Sequence, residues 1–164
     1  MQAFSDDFYF SLNKEILCTG NIDLIDIEIT KSNEIVRTLI HHAHAKHVLV
    51  IASYHDYVKT PDKSELISHL LHMQQCKADV LKLAVMATCH QDLLTLQSVA
   101  KERITLGITR PMILIAMGTF GTYSRIACNR FGSSLTFASG DHQSAPGQLP
   151  AHVIYPLVSL LHQD

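Results

Sequence analysis

Lys82 lies in the middle of an apolar, strand-like run, Asp79-Val-Leu-Lys-Leu-Ala-Val-Met86. Taking an ammonium out of water is costly, so burial there favours the free amine, the form that attacks a carbonyl to make a Schiff base. The alternative is a lysine whose stem covers apolar surface while its head snorkels from the strand end to solvent. Two further groups bear on the choice. Glu28 ends the run Ile22-Asp-Leu-Ile-Asp-Ile-Glu28, and His55 follows Val48-Leu-Val-Ile-Ala-Ser-Tyr54. The step from Glu28 to His55 is 27 residues, and the step from His55 to Lys82 is again 27.

An interval of that length holds one strand, one helix and two short loops. The repeat therefore predicts βα units that carry Glu28, His55 and Lys82 at equivalent ends of neighbouring parallel strands, facing one cavity. In β/α barrels the carboxyl ends of the strands bear the chemistry, so a glutamate, a histidine and a lysine there read as a catalytic set.

The elements that must position them are legible along the chain. Apolar residues Phe8, Leu12, Ile16 and Leu17 at helical spacing predict a helix over 5–18, with Ser5 as N-cap and Gly20 closing it. Strands are expected at 22–29, 48–53, 79–86, 111–117 and 134–138, and helices at 32–46, 62–76 and 90–103. A short helix near 123–130 and a closing helix over 151–162 follow, with Pro156 in the first turn of the latter or kinking it. The strand runs are continuously apolar rather than alternating, as parallel strands covered on both faces require. The fold class expected is α/β: a single domain over residues 1–164, TIM-barrel-like, with parallel strands in about five βα units. Five strands do not close a barrel of eight, so the sheet is expected to keep open edges that need partners.

Composition narrows the function. Of 164 residues, 47% are apolar and 17% charged, enough for a substantial core, and the net charge of −2 argues against nucleic-acid and anionic-membrane partners. Cys18, Cys76, Cys89 and Cys128 form no CxxC pair, which points away from zinc ribbons and disulfide frameworks and toward a reducing cytoplasm. The polar, acidic start lacks the apolar segment of a signal peptide, and no window of 18 residues is uninterruptedly apolar. The expectation is a small-molecule enzyme of the cytoplasm. His44 and His47, three apart in His41-His-Ala-His44-Ala-Lys-His47, invite a metal reading, but no acidic ligand stands at suitable spacing and a helix C-terminus itself favours imidazolium.

Six segments in order resemble type I 3-dehydroquinate dehydratase, from about Phe4 to the C-terminus. They are Asp23-Leu-Ile-Asp-Ile-Glu28; Ser53-Tyr-His-Asp-Tyr57 with Lys59-Thr-Pro61; Lys82-Leu-Ala-Val-Met86; Ser124-Arg125; Phe131-Gly-Ser133 with Thr136-Phe137; and Ser144-Ala-Pro-Gly-Gln148. The resemblance implies a Schiff-base hydro-lyase of the shikimate pathway that converts 3-dehydroquinate to 3-dehydroshikimate by syn loss of water. By it, Lys82 attacks the C3 ketone, and His55 removes the C2 proton, protonates the departing C1 hydroxyl and assists imine formation and hydrolysis. Arg125 matches the arginine that grips the substrate carboxylate, and Ser144 and Gln148 match a lid loop that bonds substrate hydroxyls. Glu28 is placed with the substrate-binding residues, as a supporting carboxylate near the lysine and histidine. No metal or organic cofactor is implied, because the imine is itself the electron sink.

The same resemblance implies that full-length members carry roughly three further N-terminal βα units, among them the glutamate that orients the catalytic histidine. This chain is accordingly expected to match the last five units of the barrel, with His55 short of its orienting carboxylate. Phe120 stands where many relatives carry lysine, and Tyr54 where asparagine or histidine often precedes the catalytic histidine. Two other readings remain open at this level. One is a catalytically impaired remnant that associates with itself, as a homodimer or through exposed barrel edges; the other is a class I aldolase, which also uses a strand-end lysine.

Overall fold

The computed structural model describes residues 5–161. Phe4 and His162, which bound the expected resemblance and the expected closing helix, lie outside the described residues. The order is α1 (Asp6–Cys18), β1 (Leu24–Glu28), α2 (Asn33–Ala45), β2 (Leu49–Asp56), α3 (Lys63–Gln75), β3 (Val80–Met86), α4 (His90–Glu102), β4 (Met112–Met117), α5 (Thr122–Ile126), a 3₁₀ turn (Cys128–Phe131) and α6 (Ala151–Leu161). The four strands form one parallel sheet in the order β1-β2-β3-β4. Among the described residues no helix is long and apolar enough to cross a membrane.

Local chemistry sets the ends of these elements. Ser5 caps α1 by accepting from the Phe8 amide, and Ser32 caps α2 by accepting from the Ile35 amide. Asp92 reaches back from α4 to accept from the amides of Thr88 and Cys89. The last three of the four helix-to-strand turns share one closing pattern, in which a left-handed residue ends the helix: His47 (φ 59°), Lys77 (φ 65°) and Gly107 (φ 65°). In each, the next amide returns to a carbonyl of the last turn, as Val48 to Ala43, Ala78 to Met73 and Ile108 to Arg103. These positions recur every 30 residues. Holding a side-chain-bearing residue left-handed costs roughly 1–2 kcal/mol, so at His47 and Lys77 the turn geometry prevails over local preference.

The sheet buries both faces. One carries Ile25, Ile27, Val50, Ala52, Leu81, Leu83, Val85, Met112, Leu114 and Ala116 against the helices. The other carries a smaller apolar set, Ile51, Ala84, Ile113, Ile115 and Met117, with Phe137 and Ala145 packed over it. β3 and β4 are buried almost throughout, whereas β1 alternates, as an edge strand does. One amide on β1, that of Glu28, is satisfied by the Tyr9 hydroxyl at 3.0 Å.

The expected fifth strand at 134–138 does not form. Ser133 takes over the pairing with β4: its Oγ accepts from the Leu114 amide at 2.7 Å and donates to the Leu114 carbonyl at 3.0 Å. Only the Ser134 amide then reaches β4, at the Met112 carbonyl, so a side chain closes the edge where a backbone ladder was expected. The helix expected near 123–130 divides into α5 and the 3₁₀ turn. Pro156 sits inside α6, beyond its first turn. His44 does find an acidic partner, Asp79, 2.9 Å from its Nε2, supplied by tertiary contact from the turn before β3 rather than by local spacing.

Candidate active site

Parallel pairing sets Glu28 beside Ser53, Ser53 beside Lys82, and Lys82 beside Ile113, one row across the sheet. His55 pairs with Ala84, and Ala84 with Ile115, in the next row toward the carboxyl ends. The equal sequence intervals therefore do not place the three residues level. They do share a face, since Ser53 and His55 are two apart on β2. The offset lets Glu28 reach forward, so that its Oε2 lies 2.6 Å from His55 Nδ1.

A carboxylate only accepts, so Nδ1 is the nitrogen that donates to Glu28, and in the neutral imidazole Nε2 is then the acceptor. Tyr57 stacks on the imidazole with centroids 6.0 Å apart and an interplanar angle of 11°. His55 is thus held by a carboxylate at one nitrogen and by a ring on its face.

Lys82 is 8% exposed. Its Nζ donates to Asp26 Oδ2 at 2.7 Å and lies over the Phe137 ring, 4.8 Å from the centroid. Ser53, fully buried, donates its Oγ to the other Asp26 oxygen. The lysine does not snorkel; it is turned inward and fixed between a carboxylate and an aromatic face.

Arg125 comes from α5, which is tied to the end of β4 by Ser124. The Ser124 Oγ accepts from the Ala116 amide at 3.1 Å and donates to the Gly121 carbonyl at 2.7 Å. Only glycine fits at position 121, where a Cβ would meet the Ala116 carbonyl oxygen at 2.0 Å. Arg125 is 1% exposed, yet its guanidinium finds only two carbonyls, Phe137 at 3.3 Å and Pro146 at 3.0 Å, while Nε has no partner. Among the described residues no carboxylate lies within ion-pair distance of it. Burial pushes its pKa below the usual arginine value. A buried guanidinium without a counter-ion is a seat for an anion.

The loop 139–150 closes over this face. Gln148 is buried, and its Oε1 accepts from the Ser144 amide at 2.8 Å, the Ser144 hydroxyl at 3.1 Å and the Ala145 amide at 3.2 Å. Gly147 (φ 76°) lies against Gly118, where a Cβ would meet the carbonyl oxygen at 2.5 Å. Gly147→Ala is therefore expected to lift the loop at a cost of about 1–3 kcal/mol. Because that loop carries Ser144 and Gln148 into the cavity wall, ligands of the cavity should bind more weakly; unchanged binding would separate the loop from the site.

His55, Lys82, Arg125, Ser144 and Gln148 line one cavity of about 190 Å³, with Phe137 among its walls. A larger groove beside α3, about 590 Å³, contains none of them. The enclosed volume lies below the range of drug-sized sites and suits a small metabolite.

The family model for type I 3-dehydroquinase matches residues 1–164. This chain belongs to that family. It is 41% identical to the 3-dehydroquinate dehydratase of Clostridioides difficile over 163 residues, 99% of this chain and 64% of that protein. It is 42% identical to the enzyme of the same name from Clostridium kluyveri over 161 residues, covering 98% of this chain and 63% of the relative. A crystal structure of type I 3-dehydroquinate dehydratase from Clostridium difficile, with covalently modified comenic acid, superposes at a TM-score of 0.91, covering 99% of this chain and 64% of that one at 40% identity. The 3-dehydroquinate dehydratase of Geobacillus kaustophilus superposes equally well, with a TM-score of 0.91 at 29% identity, and 99% and 63% coverage. The chain thus spans less than two thirds of the length of these relatives. Its parallel sheet is a portion of the TIM-barrel-like architecture of the type I dehydroquinases.

One expected site residue sits elsewhere. Glu28 is not in the cavity wall; the imidazole stands in front of it, because the carboxylate is engaged by His55 Nδ1. The same contact corrects the expectation that His55 lacks an orienting carboxylate, since β1 supplies one. Asp26, Ser53 and Phe137 went unrecognised as parts of the site. Period-two alternation put Asp26 on the face of Glu28 and Ser53 on the face of His55, a signal present in the sequence. Phe137 arrives from irregular backbone and left no such signal.

Proposed function

We propose that this chain carries the site of a type I 3-dehydroquinate dehydratase, a hydro-lyase that removes water from 3-dehydroquinate through an imine on Lys82. The observation that carries the reading is the pairing, in one small cavity, of an inward-facing lysine amine with a buried guanidinium that has no carboxylate partner among the described residues. A substrate with both a ketone and a carboxylate satisfies the two at once. Arg125 binds the carboxylate and orients the ring, so that the ketone carbon faces Lys82 Nζ. Once the C–N bond has formed and the ketone oxygen has left as water, the protonated imine draws electrons from the neighbouring carbon. His55 Nε2 takes a proton from that carbon, the C–H pair forms the new C=C bond, and the β-hydroxyl departs with a proton returned by the same imidazole. Hydrolysis of the imine then frees the product and Lys82.

Ser144 and Gln148 act from the lid as hydrogen-bonding groups for substrate hydroxyls, in exchange for the bonds they now make to each other. Glu28 acts through His55 rather than on substrate. The comenic acid held covalently by the Clostridium difficile relative supports a site built for covalent capture. Self-association belongs to the same reading: β1 is an edge strand of the sheet, with no strand paired to its outer side among the described residues.

The test is intact mass spectrometry after incubation with 3-dehydroquinate and borohydride, which reduces an imine to a stable amine. An added mass on Lys82 is expected. No adduct on folded protein, or an adduct only on other lysines, would overturn the assignment.

A further inference from the structure

We propose that Asp26 is the proton carrier for imine formation, a second catalytic acid–base beside His55, with Ser53 as its positioning residue. The inference rests on the reading of Lys82 as the imine-forming amine and assigns a group that reading leaves unused. Asp26 Oδ2 is 2.7 Å from Lys82 Nζ, the reacting atom. Its other oxygen is occupied by the hydroxyl of Ser53, which lies between Glu28 and Lys82 in the row across the sheet and is fully buried. The carboxylate is therefore turned so that one oxygen is committed to Ser53 and the other points at the amine. His55 is differently engaged: its Nδ1 donates to Glu28, and it stands one row farther along the strands.

The chemistry needs such a group. An ammonium carries three protons and a protonated imine one, so two protons must leave Nζ, and both end on the ketone oxygen. Asp26 takes the first, freeing the nitrogen lone pair. That pair forms the C–N bond while the carbonyl π pair moves to oxygen, which receives the second proton from nitrogen to give a neutral carbinolamine. The nitrogen pair then forms C=N as the C–O bond breaks, and Asp26 returns its proton to the departing hydroxyl, which leaves as water. Asp26 ends as a carboxylate beside a cationic imine, the same charge pair with which the step began. His55 is left free for the carbon-bound proton.

The experiment is the rate of Lys82 adduct formation from 3-dehydroquinate, quenched with borohydride, across about pH 6 to 10 for wild type, Asp26→Asn and Ser53→Ala. For Asp26→Asn the rate at neutral pH should fall on the order of 10²-fold, the usual worth of a positioned acid–base group. It should then climb with pH, as hydroxide and buffer bases take over the proton transfer, and added acetate should restore part of the loss. Ser53→Ala keeps the carboxylate but frees its rotation, so a smaller loss with a wild-type pH profile is expected. That variant also carries the test should Asp26→Asn fail to fold. A wild-type rate in Asp26→Asn, or a loss equal at every pH in folded protein, would overturn the role of Asp26, as would an unchanged rate in Ser53→Ala for the positioning. If wild type itself forms no adduct, the underlying imine reading fails, and this proposal with it. If wild type reacts and the variants do not differ from it, only the role of Asp26 fails.

Discussion

Lys82→Ala is expected to remove turnover of 3-dehydroquinate by about 10⁵-fold or more, the scale seen when a covalent nucleophile is deleted. The borohydride adduct should vanish with it, because the amine is the only atom of the site able to form the bond that borohydride fixes. The structure makes this variant interpretable. Lys82 lines the cavity, so truncation opens space there, but its charge partner Asp26 remains hydrogen-bonded by Ser53 and lies at the edge strand. The helix-facing core built on Leu81 and Leu83 is untouched. A near-wild-type thermal melt together with lost adduct and lost turnover is the expected combination. Retention of an adduct mapped to another lysine would move the nucleophile elsewhere.

His55→Ala should behave differently. In the proposed mechanism its loss removes the base for the carbon-bound proton, and kcat should fall by about 10³-fold, within the range of general acid–base catalysis. KM should change little, because the proposed substrate contacts, Arg125 and the lid loop, are left in place. The imine should still form, and with elimination stalled the trapped adduct should accumulate as the substrate-derived species. Glu28→Gln is the informative companion. The amide keeps a hydrogen bond to the imidazole but loses the charge that stabilises imidazolium, so a smaller loss in kcat, about 10–100-fold, is expected at unchanged KM. Single-turnover kinetics with mass detection of the adduct would separate these outcomes. An unchanged rate in His55→Ala would take His55 out of the mechanism, and a Glu28→Gln variant defective in KM alone would return Glu28 to substrate binding.

These two predictions depend on different levels of information. The lysine announced itself, because a charged residue within a continuous apolar run has few reasons to be there. The 27-residue repeat put Glu28, His55 and Lys82 on neighbouring parallel strands, since a βα unit of constant length returns the chain to the same side of a sheet, but not at equivalent ends: His55 stands one row farther along, and Glu28 lies outside the cavity wall. The helices at 6–18, 33–45, 63–75 and 90–102 were legible from apolar periodicity and start signals, and the Ser124-Arg125 and Ser144 to Gln148 segments pointed to the cavity they line. Residues 134–138 were misread because their composition suits a strand, while the decisive partner is the hydroxyl of Ser133, whose engagement with β4 no periodicity reports.

What the amino-acid sequence determined by itself was the set of chemical groups, the α/β class and the face on which the groups stand, all of which follow from residue type and local repeat. Tertiary structure alone decided which groups meet. Register set Ser53, not His55, beside Glu28, and so let that carboxylate reach forward to the imidazole and Asp26 reach the amine. Closure of the 139–150 loop over Arg125 left the guanidinium two carbonyls and no carboxylate. Spacing along a chain counts residues, whereas an ion pair or a hydrogen bond depends on distances of about 3 Å between side chains, and these exist only once strands have paired and loops have closed.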